Sequence, residues 1–403
     1  MEYLMLKNTE VMQFDQRREY IRVLRPELMP YGLRNAIKEG SDFSIIMNNH
    51  NVLYTYLSRR VLGLERKNAK YILNALHLSQ DQDDMTKGKI AYQYNNLSMT
   101  DAYWFRKGDE RYEDMDLRKQ DFNLEIQRCA LGHPDMLKDK NVITPELLTT
   151  GTYAKAWVQE QDGSYLYKKS SAGGRESETE IEVSSILDYT NANHVRYMAG
   201  AYDGMFVCKC KNMTTDRLSI VSAEEYRSYC IHNGRDFKKE ILLMDAEMIH
   251  RMNIVDYLIS NSDRHVGNWG FYMDNDTGII EGCHPLFDHN RAFDEMDMQE
   301  ADGGKNALFP DYSKKECAQY AVRNCGFEIH DKIPRTVFSS RKHYHSFMER
   351  AASLGLIKKK SIWHIKRKTA RDELLSAKVP DRTELEKEAK EFIEFIKTKR
   401  EIQ

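Results

Sequence analysis

Asp263 and Asn268 lie five residues apart in NSDRHVGNWGF, and Asp288 follows twenty residues later, at the end of the apolar run Pro285-Leu286-Phe287. A loop carboxylate suits the orientation and deprotonation of a hydroxyl. An amide oxygen and a second carboxylate are hard oxygen donors of the kind magnesium takes, usually shared with the phosphates of a nucleotide. Magnesium-assisted phosphoryl transfer needs both at once, because positioning and charge neutralisation supply most of its catalysis.

The plainer alternative is a polar loop in which Asp263 caps and Arg264 pairs with an acid. For an isolated Asp-x4-Asn that alternative prevails, but the flanks here argue against it. Ile241, Met244, Met248, Met252, Val255 and Ile259 recur at three- and four-residue spacing, a helix stripe that stops just before the loop. Beyond the loop, GFYMD and IEGCHPLF predict a hairpin turning at Asn275-Asp276-Thr277-Gly278. Protein kinases use the same order: an Asp, an Asn five residues on, and a later Asp after a strand. On that pattern Asp263 is the base, Asn268 a magnesium ligand and Asp288 the main magnesium ligand. His265 is either an orienting or phosphate-contacting group or a structural histidine. Trp269 reads as core, and Asn290 and Arg291 as turn residues or, alternatively, as contacts to phosphate or substrate.

Such a centre needs a nucleotide-holding side, with a strand lysine, a helical carboxylate and a loop over the phosphates. KAWVQE (155–160) and SYLYKK (164–169), joined at Gln161-Asp162-Gly163, form the expected hairpin. Side chains alternate along a strand, so only one of Lys168 and Lys169 faces the cleft; a core-facing Leu166 selects Lys168. The helix beginning in RESETEIEVSSILDY offers Glu176 and Glu180 on one face, and Glu180 is the expected partner of Lys168. Thr150, Gly151 and Thr152 in LLTTGTYAKAW are the expected phosphate loop, with backbone amides cradling the anion. It contains no GxGxxG and no Walker A sequence. Cys208, Lys209 and Cys210 in FVCKCKNM are the expected hinge, where backbone groups meet adenine. ATP and Mg2+ are the implied cofactors.

The surrounding elements fit an α+β, two-lobed, protein-kinase-like chain. Residues 1–140 read as an irregular, mostly helical region, with apolar residues at helical spacing in 52–76. Residues 141–235 read as a strand-rich, ATP-binding lobe. Residues 236–403 read as a helical lobe holding the catalytic loop and ending in the amphipathic ELEKEAKEFIEFIKTKR. The 403 residues suffice for two or three packed units. A formal net charge of -2 gives no electrostatic argument for nucleic acid or anionic membrane. No apolar run approaches a bilayer span, and MEYLMLKNTE lacks a signal-peptide layout, so a cytoplasmic location is expected. Seven scattered cysteines with no CxxC pair are expected as reduced thiols.

NSDRHVGNWGF followed by PLFDHNRAF resembles the catalytic and metal-binding motifs of HipA-like serine/threonine kinases, a family similar in fold to protein kinases and phosphatidylinositol 3-kinases. LSMTDAYWFRKGDERYEDMDL, TPELLTTGTYAKAWV and YLYKKSSAGGRESETEIEVSSIL are similar in order and spacing to bacterial HipA-like proteins. The resemblance covers roughly residues 45–295. It implies Asp263 as base, Asn268 and Asp288 as magnesium ligands and Lys168 as the ATP lysine. It also implies a protein substrate, and a toxin's role beside an antitoxin-like partner protein. Two departures bear on this. The phosphate loop carries Thr149, Thr150 and Thr152 where family members that autophosphorylate carry a serine, and residues 1–140 do not match the usual antitoxin-docking domain. A nucleotide-binding pseudokinase and a small-molecule or lipid kinase remain the competing readings. The presence of all three central residues speaks against the first.

Overall fold

Strand β1 (Glu2–Leu6) turns at Lys7-Asn8 into β2 (Thr9–Asp15), which pairs with β3 (Tyr20–Val23), all antiparallel. The other edge of β1 is filled from about a hundred residues away by β4 (Tyr103–Arg106), giving a sheet of order β3-β2-β1-β4. These are the coordinates of a computed structural model, which describes residues 2–15, 20–133, 142–330 and 332–357. The N-terminal region is therefore not helical alone. Its helices are α1 (Phe43–Ser58), α2 (Ala69–Ala75), α3 (Asp84–Gln93), α4 (Tyr112–Met115) and α5 (Leu124–Leu131). The helical spacing of 52–76 belongs to two helices, α1 and α2, separated by an irregular stretch. Gly88 lets α3 lie close on α1, since a Cβ there would stand 2.6 Å from the Tyr54 ring.

A second antiparallel sheet of order β5-β6-β8-β7 follows. It contains β5 (Ala154–Glu160), β6 (Gly163–Lys169), β7 (Tyr197–Tyr202) and β8 (Met205–Lys211), with helix α6 (Glu176–Leu187) between β6 and β7. The expected β5–β6 hairpin is present, with Lys155 opposite Lys168. Tyr165, Tyr167 and Val207 form the core on one face, backed by Val158 and Tyr202. The third sheet, of order β11-β10-β9, is made of β9 (Leu218–Ser222), β10 (Gly270–Asp274) and β11 (Ile280–Cys283). The hairpin expected after the catalytic loop is its β10–β11 pair.

The remaining helices are α7 (Ala223–His232), α8 (Phe237–Leu258), α9 (Glu295–Gln299), α10 (Lys314–Asn324) and α11 (Arg341–Ser353). Helix α8 carries most of the expected stripe: Ile241, Met248, Met252 and Val255 are buried, as is Ile259 at its C-cap, while Met244 is half-buried. It is broken at Asp245, whose backbone leaves the helical region (φ -159°, ψ 70°). The Asp245 carboxylate accepts from the Met248 amide (3.1 Å), capping the second half of α8, and from the Cys283 amide of β11 (3.0 Å). A tertiary contact, with no proline or glycine involved, makes the kink.

The chain forms two compact units. The first comprises Met1–Glu178, Tyr197–Asn233 and Gly270–Glu281, and holds all of the first two sheets. The second comprises Thr179–Arg196, Gly234–Trp269 and the chain from Gly282 onward, and is mainly helical. The terminal segment 384–400, expected as an amphipathic helix, lies outside the described residues. All seven cysteines are free thiols, as expected. Among the described residues, no helix is long and apolar enough to cross a membrane.

Candidate active site

In the second unit, the loop that follows α8 is built around one guanidinium. Arg264 is buried and forks onto the buried Asp256 of α8, its Nε 3.0 Å from Oδ2 and its second terminal nitrogen 3.1 Å from Oδ1. Its remaining nitrogen donates to the Asn268 carbonyl (2.6 Å) and to the Phe287 carbonyl (2.9 Å). One side chain thus joins the helix, the backbone of Asn268 and the residue before Asp288. Asn261 reinforces the turn, with its amide on Asp256 (2.9 Å) and its side-chain oxygen accepting from the Asp263 amide (3.2 Å).

The Asp263 backbone is held from both sides. Its carbonyl accepts from the His265 amide (3.0 Å) and from the Asn268 side-chain nitrogen (2.8 Å). Its carboxylate is half-buried, and among the described residues it has neither a hydrogen-bond nor an ion-pair partner. The plainer reading of the loop is therefore half observed: Arg264 pairs with an acid, but Asp263 does not cap. Because the Asn268 nitrogen is committed to the Asp263 carbonyl, the amide oxygen is what that side chain offers a cation.

Asp288 sits in the left-handed region (φ 60°), where aspartate is among the few non-glycine types that fit. Such backbone conformations cluster at functional sites. Asn290 donates to its Oδ1 (2.7 Å). The next residue, His289, is held by its backbone: its amide donates to Glu180 of α6 (2.9 Å), a carboxylate only 1% exposed. The Arg291 carbonyl accepts from the Ser262 amide and hydroxyl, each at 3.4 Å, tying the Asp288 segment to the Asp263 loop. The turn roles expected of Asn290 and Arg291 fit these contacts.

His265 is exposed, and its Nδ1 accepts from the Gly267 amide (3.0 Å), a local turn bond. Trp269 is buried beside Phe237, as expected of core. Preceding Asp288, His284 is fully buried, and burial pushes its imidazole down to about 4. Among the described residues no cluster of three or more His, Cys, Asp or Glu side chains is arranged to hold a metal. The donor set on offer is one amide oxygen and one carboxylate. That chemistry fits magnesium, which keeps waters and takes its other ligands from phosphate.

In the first unit, the two candidate lysines separate. Lys169 lies on the strand face of Tyr165 and Tyr167, and its Nζ donates to the Leu131 carbonyl at the end of α5 (3.1 Å). Lys168 points the other way, is buried, and donates to the Tyr197 hydroxyl (3.1 Å). The expectation of a core-facing Leu166 is corrected, since Leu166 is half-buried and the tyrosines occupy the core face. Lys155, directly opposite Lys168 in the ladder, is also buried. The Lys155 ammonium donates to the Thr150 carbonyl (2.9 Å). Ser177 anchors the start of α6 on the Lys168 carbonyl (2.9 Å). Glu176 is occupied by the Ser171 amide (3.0 Å).

In the phosphate-loop candidate, the carbonyls of Thr149, Thr150 and Thr152 all accept hydrogen bonds, from Arg66, Lys155 and the Lys67 amide. The amides of Thr150, Gly151 and Thr152 make none among the described residues, and all three residues are exposed. Backbone amides without an internal partner are what a loop needs to receive an anion. Gly151 is at φ 99°, and a Cβ there would stand 2.4 Å from the Lys155 ammonium.

The expected hinge is not where the sequence placed it. Cys208, Lys209 and Cys210 lie in β8, paired with β6 on one side and β7 on the other. Their backbone groups are taken by the two ladders and are not available to adenine. Lys209 is on the core face, 2.7 Å from Glu160 and 5.0 Å from the Tyr165 ring centre.

The residues missed in the sequence are Asp256, Asn261 and Arg66. A signal existed for Asp256, an acid inside the apolar run Ile254-Val255-Asp256-Tyr257-Leu258. Buried acids of this kind are rare unless paired.

No family model matches the chain, and no curated protein matches it. Solved structures do. HipA of Shewanella oneidensis MR-1, in a toxin–antitoxin complex with HipB and operator DNA, matches over 100% of both chains at 12% identity, with a TM-score of 0.53. The Helicobacter pylori proinflammatory kinase CtkA matches over 52% of this chain and 91% of its own, at 15% identity and a TM-score of 0.40. The likeness to HipA shows a shared fold, the α+β two-lobed plan.

Proposed function

We propose that this chain is an ATP- and Mg2+-dependent phosphotransferase, and specifically a HipA-like protein serine/threonine kinase. The observation that carries the reading is the Asp263 carboxylate, partnerless among the described residues, on a loop whose backbone is tied down at every adjacent point. A carboxylate meant only to shape the loop would be spent on it. Asp263 orients the acceptor hydroxyl and takes its proton as the oxygen attacks the γ-phosphorus and the bond to the ADP oxygen breaks. The Asn268 oxygen and the Asp288 carboxylate hold magnesium, which when bound neutralises charge on the phosphates. Lys168 supplies the phosphate-binding cation, and the amides of Thr150, Gly151 and Thr152 receive phosphate oxygens. The HipA fold supports our reading of a toxin's role with an antitoxin-like partner, working in the cytoplasm.

Purified protein incubated with radiolabelled ATP, magnesium and a bacterial lysate tests this. Label on protein, lost in Asp263→Asn, is the expected result. Label on lipid or a small metabolite transfers the site to another acceptor. No label in the presence of measurable MgATP binding makes the chain a nucleotide-binding module.

A further inference from the structure

We infer that Arg66, from the N-terminal region, is a positioning residue for the phosphate loop, so that this region is a working part of the nucleotide site. The inference rests on the kinase reading above and assigns a role to residues that reading leaves idle.

Arg66 follows the break after α1 and is 1% exposed. Its guanidinium donates to three backbone carbonyls and, among the described residues, to no carboxylate: Glu146 (2.7 Å), Thr149 (2.7 Å) and Lys155. These carbonyls lie before, at the start of and after the loop, so one planar cation gathers its two ends. Neighbouring residues add two backbone clasps. The Leu62 amide donates to the Leu147 carbonyl (2.9 Å), and the Lys67 amide to the Thr152 carbonyl (2.7 Å). From the opposite side, the buried Glu146 carboxylate accepts from the Trp157 amide (2.9 Å) and the Thr144 hydroxyl, and the Trp157 indole donates to the Thr149 hydroxyl (3.0 Å). The segment is therefore closed around two buried charges, each answered by loop backbone.

The chemical consequence is sorted peptide polarity. A peptide whose carbonyl is drawn inward presents its amide outward. Arg66 draws in the Thr149 carbonyl and Lys155 the Thr150 carbonyl, so the amides of those two peptides, those of Thr150 and Gly151, are left for an anion, while the Lys67 amide holds the Thr152 carbonyl at the end of the loop. Arginine's planar fork of donors holds three separated carbonyls at fixed angles. Lysine retains the charge without the geometry.

The test compares the full-length wild type with Arg66→Lys, measuring affinity for MgATP and for adenosine by calorimetry, and melting temperature. The expected result is a melting temperature within a few degrees of wild type, MgATP affinity roughly tenfold weaker, and adenosine affinity unchanged. Equal losses for ATP and adenosine, or no loss, overturn the inference while leaving the kinase reading intact. Wild type that binds no MgATP overturns both. Should Arg66→Lys fail to fold, hydrogen exchange on the wild type decides. MgATP is expected to slow the Leu62 and Lys67 amides together with those of 149–153. Slowing in 149–153 alone overturns the inference.

Discussion

Arg264 and Asp256, eight residues apart, form a buried, two-pronged ion pair that also carries the carbonyls of Asn268 and Phe287. The pair joins the end of a long helix to two chain segments bearing proposed metal ligands. Breaking a buried pair leaves an uncompensated charge, at a cost of about 3–5 kcal/mol. Asp256→Asn is expected to destabilise the fold by roughly that amount in chemical denaturation. Arg264→Lys cannot hold all four acceptors, and phosphate transfer is expected to fall by about 100-fold. Transfer by Arg264→Lys within twofold of wild type would show that the arginine positions nothing.

Asp263→Asn isolates the proposed base. The half-buried carboxylate has no partner among the described residues, so stability is expected to change by less than about 0.5 kcal/mol. Transfer is expected to fall by about 10²–10⁴-fold, with MgATP affinity unchanged. The proposal fails if the purified variant still transfers phosphate at the wild-type rate.

Asp288→Asn separates charge from backbone. Asparagine tolerates the left-handed conformation (φ 60°) as aspartate does, so the loop is expected to persist. The lost negative charge weakens the cation site. ATP affinity in magnesium is expected to drop by roughly tenfold or more, about 1.4 kcal/mol, with little change when magnesium is chelated. A loss of equal size with and without magnesium contradicts the assignment.

His284 predicts how the fold responds to acid. Burial lowers its imidazole from 6.5 to about 4, so it is buried neutral. Between those values the unfolded chain binds more protons than the folded one, and stability is lost as pH falls through that window. The ceiling is about 3 kcal/mol. Urea melts of wild type and His284→Gln at pH 7, 5.5 and 4.5 check this. The variant should lose less stability on acidification than wild type, and parallel pH curves would remove His284 as the cause.

How much of this was visible in the sequence depended on range. The loop from Asp263 to Asp288 was legible because its polar residues, preceding helix and following hairpin are contiguous. The β5–β6 hairpin was legible for the same reason. Strands β1 and β2 were not, because the turn places Lys7 at φ 52°, where glycine or asparagine is the usual signal, and because the register shifts at Val11 of β2, opposite Leu4 and Met5, which breaks the alternation. Strand β9 is five residues long and finds its partner only at β10. The break in α8 is set by Cys283, far along the chain, with an unbroken stripe across it. The hinge was misplaced because a segment with strand character gives no sign of whether one or both of its edges are covered. Glu180 lies on the helix expected from the sequence, but its bond to the His289 amide depends on a tertiary approach.

The chain crosses between its two units five times before residue 283, and this has a consequence for synthesis. The N-terminal sheet cannot close until Arg106 has left the ribosome, and β9 waits about fifty residues more for β10. Neither unit exists as a continuous stretch, so no single cut yields a self-sufficient fragment of either. A nascent chain stalled before Asp274 exposes an uncovered strand edge, the form most open to chaperones and to mispairing. Separate expression of the halves should give aggregates, while a nick in the surface turn at Gln161-Asp162 should be tolerated.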